Sequence, residues 1–305
     1  MRYFLRHITK MHMPVAILLL VCALGMWVVD YIRMPEQWVM LLFTQIMSLM
    51  NALLLCSVLY RSKASAHYSL LPGVIYVVMV AVFPYMRLHG APHFMALLLL
   101  FYLLITRDLS EDNESNGIPF FITLLLSLLA YFSPDALWCI IFLWVVVIVQ
   151  GCFSLRTVIA SLLAVALCAV YYQIAVYLGW LESVNWPELI HRQWLGNVYQ
   201  PMVVIAVISL LAAFIYVVVA AFQRSSYDLV STRMILYQVV LLGVLSAPLI
   251  ILPPSRPDSL VLLPLSLAAT TGIYLLQKES ESRGITLLVY LAGAIVLYIS
   301  LIVNL

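Results

Sequence analysis

The chain has 305 residues, 65% of them hydrophobic and only 9% charged, with a mean hydropathy of +1.10. A soluble domain is nearer half apolar and a quarter charged, so these values exclude a soluble globular protein, a disordered chain and a disulfide scaffold. A net charge of +2 gives no basic surface for nucleic acid, and long unbroken apolar runs, in place of strict alternation, exclude a membrane β-barrel.

From the N-terminus, Arg2, Arg6 and Lys10 precede an apolar run at 14–29. A basic start before an apolar stretch has the form of a signal peptide. Ten further runs follow, however, and this one is long, so it reads as an uncleaved first span. The others lie near 37–60, 69–86, 92–106, 118–132, 136–151, 157–180, 201–222, 234–252, 260–276 and 285–303. A span takes about 20 residues, so about eleven spans occupy most of the chain and leave no room for a soluble domain. The expected fold is all-α, a polytopic helix bundle forming one membrane domain over 1–305. Spans four to six are short, and two of them can form a re-entrant pair without changing the parity of the rest.

Lys and Arg orient the bundle. With the N-terminus inside, the inner segments carry eleven of the 15 basic residues and the outer segments carry Arg33, Arg87, Arg192 and Arg256. That excess on one side predicts N-in and C-out, in a bacterial cytoplasmic membrane.

All 28 Lys, Arg, Asp and Glu residues fall in loops or at span ends in this reading. Ion-coupled transporters and proton pumps usually carry ionisable groups within their spans, so that class loses ground. Motifs for intramembrane or zinc hydrolysis (G-x-S-x-G, H-E-x-x-H, paired intramembrane aspartates) and Gly-rich phosphate loops are missing. No cofactor, metal or nucleotide is expected. The five cysteines form no C-x-x-C pair and read as small buried hydrophobes. His89 and His93 have the four-residue spacing of a helical zinc pair. Gly90 and Pro92 between them argue against a helix there, so they read as two loop histidines.

Polar chemistry is expected in two places. In span two, Thr44, Ser48 and Asn51 fall on one helical stripe, with Gln45 beside it. The stripe reads as interhelical hydrogen-bond glue, or as one wall of a polar cavity. At the outer face, Asp30, Asp135 and Asp258 are candidate bases. Arg33, Arg87, His191, Arg192 and Arg256 are candidate ligands for a lipid phosphate, because guanidinium groups suit bidentate phosphate contacts. The loop 181–200 contains Asn185 with Glu188 three residues on, then Gly196, and Trp186, Leu189, Ile190 and Trp194 fall on one arc. This pattern predicts a short amphipathic helix near 186–195 lying along the outer interface.

Two stretches carry a resemblance. I-P-F-F-I-T-L-L-L-S-L-L-A-Y-F-S-P-D-A-L-W with the following F-S-L-R-T, and S-L-V-L-L-P-L-S-L-A-A-T-T-G-I-Y-L-L, resemble a multi-pass inner-membrane family of unknown function found mainly in the Bacteroidota. The likeness implies fold and location and carries over no catalytic residue. The position of Asp30 is also similar to the acid in the first outer loop of glycosyltransferases that use polyprenyl-linked sugars, although that loop is short here. Three functional readings stay open. One is a protein handling a lipid-linked (polyprenyl or phospholipid) substrate at the outer face in envelope assembly. The second is a non-catalytic membrane subunit or scaffold. The third is an uncoupled transporter or flippase. The expected partners are membrane lipids and other membrane proteins.

Overall fold

The computed structural model describes residues 12–62, 69–82, 84–109, 117–131, 133, 136–149, 154–181, 215, 217–219, 230–251 and 261–276. Among the described residues every element is helical. In chain order they are α1 (His12–Arg33), a 3-10 turn (Pro35–Gln37), α2 (Trp38–Arg61), α3 (Leu71–Val82), α4 (Pro84–Leu88), α5 (Ala91–Leu109), α6 (Gly117–Leu129), α7 (Ala136–Val149), α8 (Leu155–Tyr177), α9 (Val230–Ile251) and α10 (Leu262–Leu276). Among the described residues two stretches, Pro35–Arg61 and Leu155–Tyr177, are long and apolar enough to cross a membrane.

Local chemistry sets several of the ends. Pro35 opens the turn before α2, where its missing N–H costs nothing. At α8 the Ser154 side chain accepts from the Thr157 amide at 3.1 Å, an N-cap that satisfies one orphan donor. The same helix stops at Gly179, whose φ of 74° few L-residues adopt. There the amides of Gly179 and Trp180 return to the carbonyls of Val176 (3.0 Å) and Ala175 (2.9 Å), the hydrogen-bond pattern of a Schellman stop.

Helix α3 is the hub. Its sequence, LPGVIYVVMVAV, is apolar all round, and Leu71 to Ala81 are buried without a break, as a helix enclosed by others requires. It packs against α1, α2 and α10. Two glycines permit the close approach. A Cβ on Gly73 would lie 2.7 Å from the Ala52 carbonyl oxygen, and one on Gly272 would lie 2.6 Å from Pro72 Cγ. Small residues at such crossings let helix backbones come together.

Side-chain contacts give the helix directions. The start of α3 lies beside the second half of α2, through Gly73 against Ala52 and Cys56, so the two run antiparallel. Met95 and Cys139 meet at 3.8 Å near the starts of α5 and α7. Thr123 meets Ser161 at 3.4 Å, and farther along the same pair of helices Tyr131 stacks on Tyr172 at 4.5 Å, so α6 and α8 run parallel. Short connections between antiparallel neighbours produce this pattern.

Candidate functional site: a buried polar network beside an apolar groove

The polar residues of the first half gather where the α3–α5 segment breaks. Pro84 opens α4 and cannot donate a backbone hydrogen bond, and Pro92 stands in the first turn of α5, where proline is tolerated. Between them α4 ends at Leu88 and the chain turns through Gly90, whose carbonyl accepts from the His93 and Phe94 amides at 3.1 and 3.2 Å. A break inside an apolar bundle releases carbonyls that water cannot reach, and each then needs another donor.

Side chains supply those donors. The Arg87 guanidinium donates to the Ala81 carbonyl. Thr44 Oγ1 donates to the Arg87 carbonyl at 2.6 Å, and His93 Nε2 meets the Met86 carbonyl at 2.8 Å. Asn51 Nδ2 donates to the His93 carbonyl at 3.0 Å and meets the Tyr76 hydroxyl at 3.4 Å. The stripe of α2 is therefore interhelical glue: Thr44 replaces a hydrogen bond that the end of α4 removes, and Asn51 adds one to a carbonyl in the first turn of α5. Its three residues, Thr44, Ser48 and Asn51, are fully buried.

The network fixes the histidine tautomer. A carbonyl only accepts, so Nε2 of His93 carries a proton, and Nδ1 of the neutral ring is then an acceptor. Ser48 Oγ lies 3.4 Å from Nδ1 and 2.8 Å from the Thr44 carbonyl, so its single proton is shared between two acceptors. Asn51 Oδ1 is buried without a hydrogen-bond partner.

Asp30 and Arg87 form an ion pair across 57 residues of sequence. Nε and Nη2 of the guanidinium donate to the two carboxylate oxygens, the second contact at 3.2 Å. Only 6% of Asp30 and 3% of Arg87 is exposed. The carboxylate expected as a free base and the guanidinium expected as a phosphate ligand thus engage each other. Both were expected at a water boundary; the fold encloses them instead, Asp30 within α1 and Arg87 within α4. Nearby, the Tyr31 hydroxyl meets Gln45 Oε1 at 3.2 Å.

His93 also departs from expectation. Gly90 and Pro92 pointed to a loop, but Pro92 belongs to the first turn of α5 and carries His93 into the core. His89 is exposed on the turn, so the two do not face one another as a zinc pair. No group of three or more His, Cys, Asp or Glu able to hold a metal occurs among the described residues. Arg33 is exposed at the end of α1 and does not join the network. Asp135, His191, Arg192, Arg256, Asp258 and the helix expected near 186–195 lie outside the described residues.

A second feature was not legible in the sequence. Helices α2, α5 and α6 enclose an apolar groove of about 600 Å³, lined by Met50 and Leu54, by Leu97, Phe101 and Ile105, and by Gly117, Phe121 and Leu125. This lies within the range of cavities that take small ligands, roughly 300–1,000 Å³. Two rim aromatics, Phe101 and Phe121, are 49% and 58% exposed.

Comparison with known proteins finds no matching family model, no matching curated protein and no matching solved structure.

Proposed function

We propose that this chain is a multi-pass protein of the bacterial cytoplasmic membrane that binds and handles a membrane lipid in envelope assembly. The reading takes it to cross the bilayer about eleven times, N-in and C-out. The observation that carries it is the groove between α2, α5 and α6, a cavity of about 600 Å³ bounded by aliphatic and aromatic side chains, with Phe101 and Phe121 exposed at its rim. Inside a bilayer a lateral apolar opening meets hydrocarbon, not water.

The network around Asp30 and Arg87 supports a structural role for those residues more than a catalytic one, since their charges and hydrogen bonds are spent on each other and on backbone carbonyls. The enclosed stripe Thr44, Ser48 and Asn51 likewise favours helix fastening over a polar path.

A second reading is supported by α8. Leu155, Ile159, Leu163, Tyr171 and Tyr177 are all exposed along it, an apolar ridge suited to another membrane helix, as a scaffold subunit would present. Mass spectrometry of the purified protein under native conditions separates the two. A lipid-handling protein retains phospholipid through detergent exchange and loses it on filling the groove by Leu98→Trp or Ile122→Trp. Equal, negligible retention by the wild type and both variants would sink the lipid reading.

A further inference from the structure

The groove has two unlike ends. At one end stand Met50, Leu97 and Leu125; beyond Met50 and Leu97, along α2 and α5, come the buried polar residues Ser48 and His93, with buried Asn51 beside Met50. A hydrocarbon chain gains nothing by entering that layer, because it would separate donors from their carbonyls. At the other end stand Ile105 and Gly117. Gly117 is exposed, and nothing lies within 4 Å of where its Cβ would be. The groove is therefore blind toward the polar network and open at its Ile105–Gly117 end.

Its depth has a natural match. Leu97 to Ile105 on α5 and Gly117 to Leu125 on α6 are nine residues each, and eight rises of about 1.5 Å give a depth of about 12 Å. Half of a hydrocarbon core of about 30 Å is about 15 Å, the depth of one leaflet. The rim is continuous with the apolar surface that would meet lipid, through Met50, Leu53, Phe101 and Phe121, all exposed.

We infer that this groove holds one acyl chain of a glycerophospholipid, entering from the Ile105–Gly117 end with its terminal methyl at the Met50–Leu97 end. The inference rests on the lipid-handling reading and adds to it the ligand class, the leaflet and the direction of entry. A polyprenyl chain is far longer than one leaflet and fits the closed end poorly. With the N-terminus inside, the open end faces the cytoplasmic leaflet, opposite to Asp30 and Arg87.

The test uses the full-length protein in vesicles containing phosphatidylethanolamine with a photoactivatable diazirine, placed either at the methyl end or beside the ester of one acyl chain. Methyl-end probes are expected to label the segments around Met50 and Leu97, and ester-side probes those around Ile105 and Gly117. Gly117→Trp, which plugs the mouth at an exposed position, should abolish groove labelling without changing thermal unfolding. Reversed depth labelling would overturn the direction of entry while leaving lipid binding intact. Undiminished groove labelling in Gly117→Trp, or displacement by an equimolar polyprenyl phosphate, would overturn the assignment of mouth and ligand. Protection of the groove by another segment of the chain, seen as crosslinks from Phe101 or Phe121 to residues 285–303 with no lipid labelling, would overturn the lipid as occupant.

Discussion

Replacing Asp30 with Leu should unfasten α1 from α4. In the wild type the carboxylate receives two hydrogen bonds from Arg87, and both groups are almost fully enclosed. Removing one member of a buried ion pair leaves an uncompensated charge and costs about 3–5 kcal/mol. Arg87→Met should cost at least as much, because it strands Asp30 and also deprives the Ala81 carbonyl of its donor. A lost bond to a buried acceptor adds about 1–3 kcal/mol. The double variant behaves differently. Exchanging a buried pair for apolar side chains of similar volume is often neutral or stabilising, by up to about 4 kcal/mol, so only the orphaned Ala81 carbonyl remains as a cost. The double variant should therefore be more stable than either single one. At about 2–4 °C per kcal/mol, the scale for domains of 150–250 residues, Asp30→Leu should lower the melting temperature by the order of 10 °C. Thermal unfolding of purified protein, followed by monodispersity on size exclusion, reads this directly. If the single variants lose less than about 1 kcal/mol, or the double variant loses the sum of both, Asp30 and Arg87 are not a buried pair.

Three other outcomes are expected. Thr44→Val removes the donor to the Arg87 carbonyl and should cost about 1–3 kcal/mol, whereas Thr44→Ser keeps the hydroxyl and should cost less; equal melting temperatures would refute the donor role. Gly73→Ala and Gly272→Ala each place a methyl under 3 Å from a neighbouring helix, and overpacking of this kind costs about 1–3 kcal/mol. In contrast Gly117→Ala, which meets nothing, should leave unfolding unchanged, and similar melting temperatures for all three variants would count against the packing around α3. Finally, a single cysteine at position 305 in a Cys-free background should react with a membrane-impermeant reagent added from outside; labelling only from the cytoplasmic side would refute the N-in, C-out topology.

Apolar runs of helical length locate themselves. The run expected at 37–60 is Trp38–Arg61, and that at 157–180 is Leu155–Tyr177. The stripe Thr44, Ser48 and Asn51 was legible because positions i, i+4 and i+7 share a helix face whatever the helix packs against. Its partners were not, since the Arg87 carbonyl is 43 residues away and the His93 carbonyl 42. The same holds for Asp30 and Arg87: a charge near the end of an apolar run looks solvated until another chain segment is brought against it. His93 was misread for a local reason. Pro92 marked a break in the sequence, but proline in the first turn starts a helix as readily as it ends one, and the burial of the next residue depends on what α2 presents. The groove needed three helices at once, and no period in a single segment encodes it.

Helix α2 joins the two features. Asn51 faces the His93 carbonyl while Met50, its neighbour in sequence, lines the groove. On α5 His93 binds the stripe, and Leu97, one turn later, stands at the blind end. The polar contacts between α5 and α2, together with Phe43 against Phe94, thus lie at the blind end of the groove, and the apolar side chains along it leave a gap between the same two helices. A core without that gap would be better packed and more stable, because voids forfeit dispersion contacts. The polar clamp offsets this: its hydrogen bonds fix the separation of α2 and α5 at one end and keep the other end open. Loosening the clamp should therefore change the width of the groove as well as the stability of the bundle, which makes substitutions at Ser48 and Asn51, whose side chains reach His93 on α5, relevant to lipid retention even though neither side chain lines the cavity.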